Sequence, residues 1–134
     1  MKKLIVSLGL ALTLSFGATL DEGVKAANKG DYKTALQIFE ALSATNNSKA
    51  QFYLGLIYED GNGVKQDYKK AKEWLEKAAA QGYLDAQFNL GVMYENGYGV
   101  KQDKRVAKKW FGEACDGGDQ GGCDNYKKLN QQGY

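Results

Sequence analysis

Cys115 and Cys123 are the only thiols in the chain, and seven residues separate them. Three kinds of chemistry use such a pair. A redox-catalytic dithiol usually has two residues between its cysteines, not seven. A zinc site needs more ligands than two cysteines, and the chain has no histidine to complete one. A disulfide needs only an oxidising compartment and a chain that can close on itself. The intervening Asp116-Gly117-Gly118-Asp119-Gln120-Gly121-Gly122, with four glycines, is such a bend. A bridged loop of about nine residues contributes roughly 2–3 kcal/mol in the chain-entropy model. A Cys115–Cys123 disulfide that pins the last helix is the expectation.

Other reactive arrangements are missing. Serine β-lactam chemistry places a lysine one helical turn after the nucleophile, as Ser-x-x-Lys. Ser43-Ala44-Thr45-Asn46 and Ser48-Lys49-Ala50-Gln51 do not fit, and Ser7 and Ser15 lie in the apolar N-terminal segment. Gly61-Asn62-Gly63 is not followed by Gly-Lys-Ser/Thr and recurs as Gly97-Tyr98-Gly99, so it reads as a turn rather than a phosphate cradle. Glu59-Asp60 is an adjacent carboxylate pair at a helix end, a position that is usually solvated. Lys65-Gln66 and Lys101-Gln102 read as solvated loop. No catalytic residue, metal or cofactor is expected.

The elements that carry these residues follow from pattern. Lys2 and Lys3 precede a thirteen-residue apolar run over 4–16. A membrane-spanning helix needs about 20 residues, so the run has the anatomy of a secretory signal, cut after Gly17 or Ala18. The expected product is a soluble exported monomer, periplasmic or secreted, with no membrane insertion. The chain has 134 residues, with 18 basic and 16 acidic side chains. Loss of Lys2 and Lys3 would bring the charges into balance, which leaves no electrostatic basis for nucleic-acid binding.

Residues 49–84 written over 85–120 need no gap and agree at 18 of 36 positions. A fixed period of this size is the mark of a solenoid. Asp31-Tyr32 and Ala35 begin a third, partial copy upstream, and a four-residue gap places Gly23 opposite Gly55. The expected units are 1–17 signal, 18–48 N-terminal helix pair, 49–84 and 85–120 full repeats, and 121–134 closing helix and tail. Within each repeat, apolar residues recur at spacings of three and four, the helical period. Helices are expected over 19–28, 32–44, 48–59, 68–81, 84–95, 104–115 and 121–130. Asp31, Asp67 and Asp103 are suited to N-caps, while Gly61 and Gly82 are suited to helix ends. Gly55 and Gly91 lie inside helices, where glycine costs about 1 kcal/mol against alanine. Close approach to Ala71 and Ala107 is the expected reason. Trp74 and Trp110 are expected to fill the space between successive pairs.

The motif Ala50-Gln51-Phe52-Tyr53-Leu54-Gly55-Leu56-Ile57-Tyr58, with Gly61, Gly63-Val64, Asp67, Ala71, Trp74 and Ala78, resembles the Sel-one-like repeat, a relative of the tetratricopeptide repeat. The copy at 85–120 resembles it equally, and 18–48 is similar to a plain tetratricopeptide pair. The resemblance implies an all-α, right-handed α-solenoid of antiparallel helix pairs with a C-terminal closing helix. It also implies a non-enzymatic module that binds a protein or peptide on its concave face. On the tetratricopeptide pattern that face carries Lys49, Phe52, Leu56, Glu59 and Asp60, with Asp85, Phe88, Val92, Glu95 and Asn96 as counterparts. Phe52 and Phe88 also suit core packing. Ala114-Cys115 through Cys123 is similar, once, to the cysteine spacing of the exported Hcp branch of the family. That similarity implies the alternative of a weak β-lactam-binding protein or β-lactamase. In the preceding repeat the same cysteine positions hold Ala79 and Gln87.

Overall fold

The structure, a computed structural model, describes residues 17–134. The signal segment expected over 1–17 lies outside the described residues except for Gly17. Seven helices form among the described residues. They are α1 (Leu20–Asn28), α2 (Tyr32–Ala44), α3 (Ser48–Asp60), α4 (Tyr68–Ala80), α5 (Leu84–Asn96), α6 (Lys104–Asp116) and α7 (Gln120–Gln131). All seven sequence-based helices are present, with boundaries within one residue of those expected. From α2 onward, each helix start is followed 36 residues later by the start of its counterpart. The repeat of residue types is therefore a repeat of geometry.

Local chemistry explains the boundaries. Asp31 Oδ1 accepts from the Thr34 amide at 3.2 Å, Asp67 Oδ1 from Lys70 at 3.0 Å and Asp103 Oδ1 from Val106 at 3.1 Å. These bonds satisfy amides that the first helical turn cannot. Asn47 and Asp119 cap α3 and α7 in the same way. Thr19 and Glu22 form a reciprocal capping box on α1. At the far ends of α3 and α5, Gly61 and Gly97 take the left-handed conformation at φ of 70° and 75°. A Cβ is disfavoured there, which accounts for glycine at both positions.

The helices pack mainly on their neighbours in the chain, as expected of a quasi-one-dimensional stack. The core lies largely between pairs. Ala35 and Phe39 of α2 meet Ala50, Leu54 and Ile57 of α3. Leu75, Ala78 and Ala79 of α4 meet Ala86, Leu90 and Met93 of α5. Ala107 and Phe111 of α6 meet Leu129 of α7. Trp74 packs on the first of these clusters and Trp110 on the second, so both tryptophans occupy the inter-pair space, half-buried.

Small residues close each hairpin, but their partners differ from those expected. A Cβ on Gly55 would lie 2.8 Å from Leu75 Cγ, with the Ala71 carbonyl oxygen farther away at 3.4 Å. On Gly91 it would lie 2.5 Å from Phe111 Cε1, and Ala107 is not among its nearest neighbours. Gly23 faces Phe39 at 2.6 Å in the same way. Phe39, Leu75 and Phe111 are register equivalents, one large side chain per pair. They project farther than the alanines do and so reach the glycine first.

Candidate protein-binding strip

The ten strip residues lie on α3 and α5, the first helices of the two full repeats, in equivalent places. They are not uniform in exposure. Lys49, Asp60, Asp85 and Asn96 are exposed, while Leu56, Val92, Glu59, Glu95, Phe52 and Phe88 are half-buried. Phe52 sits against the second core cluster, with its ring centroid 5.1 Å from that of Tyr83. Phe88 packs on the third cluster, 5.4 Å from the Phe111 ring. Both phenylalanines therefore contribute to inter-repeat packing. Val92 also packs on the third cluster. Leu56 and Asp60 share a surface cleft with Tyr53 and with Ala27 and Asn28 of α1.

The two glutamates differ in their partners. Glu95 Oε1 receives the Lys128 ammonium of α7 at 2.7 Å. Glu59 Oε2 is buried without a hydrogen-bond partner among the described residues. Burial, reinforced by the adjacent Asp60 carboxylate, holds the Glu59 carboxyl above the ordinary glutamate range. The repeat supplies the reason. Lys128 stands 36 residues after Val92, so the place that offers an ammonium to Glu95 is filled by an apolar side chain in the equivalent relation to Glu59.

Loop glutamines that read as solvated have a defined structural task. Gln66 Nε2 donates to the Glu59 carbonyl oxygen and Gln102 Nε2 to that of Glu95, both at 2.7 Å. Each loop thus clasps the C-terminal end of the preceding helix. Their identity in both repeats was the available signal. Gln81 donates to Gln51 Oε1 at 2.8 Å, a link across 30 residues that no local pattern reveals.

Cys115 and Cys123 form a disulfide, with their Cα atoms 4.5 Å apart. One repeat earlier, Gln87 Nε2 donates to the Ala79 carbonyl oxygen at 3.2 Å. The same two register positions are joined by a covalent bond at the last junction and by a hydrogen bond at the one before. Among the described residues, no group of three or more His, Cys, Asp or Glu side chains is placed to hold a metal ion. No helix among them is long and apolar enough to cross a membrane.

An all-α stack of helix pairs with polar and apolar side chains displayed along its first helices is an α-solenoid repeat protein. The Sel1 repeat family model matches residues 48–83 and 84–119, more than half of the chain, so this protein belongs to the Sel1 repeat family. A Sel1 repeat protein from Oxalobacter formigenes is similar at 30% identity and a TM-score of 0.81, over 86% of this chain and 47% of that one. The protective antigen c5321 of uropathogenic Escherichia coli, described as displaying an SLR fold, is similar at 30% identity and a TM-score of 0.78. That match covers 95% of this chain and 27% of the antigen. The present chain therefore spans about half of the first relative and about a quarter of the second. Helicobacter pylori cysteine-rich protein B is similar at 28% identity and a TM-score of 0.62, over 78% of this chain and 89% of that one. Comparison with curated proteins gives no match. Sel1 repeat proteins typically mediate protein–protein interactions.

Proposed function

We propose that this is an exported, non-enzymatic adaptor that holds a segment of a partner protein along the concave strip formed by its first helices. The units that do so are the pair at 18–48, the repeats at 49–84 and 85–120, and the closing element at 121–134. The observation that carries the reading is the incomplete burial of Leu56 and Val92. Both lie on equivalent helix faces, flanked by the charged or polar Lys49, Asp60, Asp85 and Asn96. An apolar floor with a polar rim is the anatomy of a protein-binding surface. The Lys2-Lys3 start, the apolar run at 4–16 and the disulfide support export, because such bridges persist in oxidising compartments. No specific observation favours β-lactam chemistry.

The test is capture by cross-linking from an envelope extract. Wild-type protein is compared with Leu56→Ser/Val92→Ser, and helical circular dichroism monitors folding. A partner lost with the double variant supports the strip. Undiminished capture by the folded variant moves the binding surface to the opposite face or the loops.

A further inference from the structure

The two full repeats separate charge between their helices. α3 and α5 together carry one basic residue, Lys49, against four acidic ones, Glu59, Asp60, Asp85 and Glu95. α4 carries four lysines against two glutamates. α6 carries three lysines and an arginine against two acids. The overall charge is near balance, yet the helices that bear the strip are acidic and those behind them basic. Opposed potentials steer and select partners by sign, so the strip favours a cationic ligand.

The structure also shows how a strip carboxylate is satisfied. Glu95 is met by a primary ammonium, Lys128 Nζ at 2.7 Å, supplied by the next first helix. Glu59 occupies the equivalent place one repeat earlier, carries a buried oxygen with no partner among the described residues, and has Val92 where Glu95 has Lys128. A half-buried carboxylate without a donor is costly to keep charged, and a charge-assisted bond from outside to its accessible part relieves that cost. Leu56, half-buried, stands one turn before Glu59, while the cleft against α1 that Leu56 and Asp60 line is edged by Asn28 and Asn62 and does not include Glu59.

We propose that Glu59 is the receiving carboxylate for a lysine or arginine side chain of a bound partner segment whose flanking residues are apolar. In this role the ligand's cation approaches the half-exposed Glu59 carboxylate from the solvent side, because Val92 fills the place that Lys128 takes at Glu95, while Leu56, one turn earlier, meets a flanking side chain. The assignment rests on the strip being the binding surface, and it adds the sign and position of the recognised charge.

The probe is a random-peptide phage library selected on the purified wild-type protein, on Glu59→Gln and on Glu95→Gln. Lysine or arginine beside apolar residues is expected to dominate the wild-type and Glu95→Gln selections. A synthetic peptide from the wild-type selection should bind Glu59→Gln about tenfold more weakly, the scale of one charge-assisted hydrogen bond. Its lysine-to-glutamine version should bind both proteins equally weakly. A wild-type selection with no basic preference, or one yielding no binder, overturns the proposal. So does a basic preference that persists on Glu59→Gln. Concentration-dependent self-association abolished by Glu59→Gln would instead assign the site to a second copy and also overturn it. In each case, loss of the envelope partner with Leu56→Ser/Val92→Ser would still uphold the strip itself.

Discussion

Gly91 lies against the edge of the Phe111 ring, and a Cβ at Gly91 would come within 2.5 Å of Phe111 Cε1. The helix gains about 1 kcal/mol of propensity from alanine in place of glycine. Overpacking against a fully buried ring typically costs about 1–3 kcal/mol. Gly91→Ala should therefore lower stability in urea unfolding. Adding Phe111→Leu, the residue type found at the equivalent Leu75, should recover part of the loss. A double variant less stable than the sum of the two single changes would contradict the steric account. Gly112 is the contrasting case, because a Cβ there meets only the exposed Tyr126 ring, at 3.2 Å. Gly112→Ala should be neutral or stabilising in the same assay.

Reduction of Cys115–Cys123 should destabilise the protein by roughly 2–3 kcal/mol, the loop-closure value for so short a ring. The loss should begin at α7, which among the described residues packs on helices of one side only. Hydrogen exchange after reduction should rise first over residues 120–131. Thiol titration of the unreduced, unfolded protein should find no free thiol. Exchange that rises first in α1 would assign the bridge a different role.

The Gln87–Ala79 hydrogen bond occupies the register of the disulfide one repeat earlier. Ala79→Cys with Gln87→Cys should therefore close a second bridge on oxidative refolding. Removing Gln87 also removes its buried oxygen Oε1, which has no hydrogen-bond partner among the described residues. The expected gain is no more than about 3 kcal/mol. Two persistent free thiols in the folded variant would show that the two junctions differ in geometry despite their shared register.

Glu59 makes stability depend on pH with a definite sign. Its folded-state pKa is raised, first by burial and then by Asp60. Between the unfolded value, about 4.3 for glutamate, and the raised folded value, the native state binds the extra proton. Stability therefore falls as pH rises through that window. Above it, the native state carries the full cost of the charged form. Glu59→Gln should melt higher than wild type near neutral pH, and the difference should shrink in acid. A difference that grows as pH falls would have the wrong sign. The half-exposure of the side chain keeps the effect small.

Most of the fold was legible in the chain because its determinants are local or periodic. The 36-residue step, the Asp caps at 31, 67 and 103, and the glycine stops after α3 and α5 each act within a few residues of where they are written. The cysteine pairing was legible because only two cysteines exist and they lie close in sequence. The expected strip positions came from the resemblance to the tetratricopeptide pattern, which says nothing of their inequality in burial and partners. The tertiary structure decided which large side chain meets each helical glycine, because reach across a hairpin depends on side-chain length and not on spacing alone. It also decided that, among the described residues, Glu95 has an ammonium partner while Glu59 has none. Those two residues are identical in type and register, and the difference comes from Lys128 and Val92, which lie 33 residues farther along the chain and become neighbours only when the repeats stack.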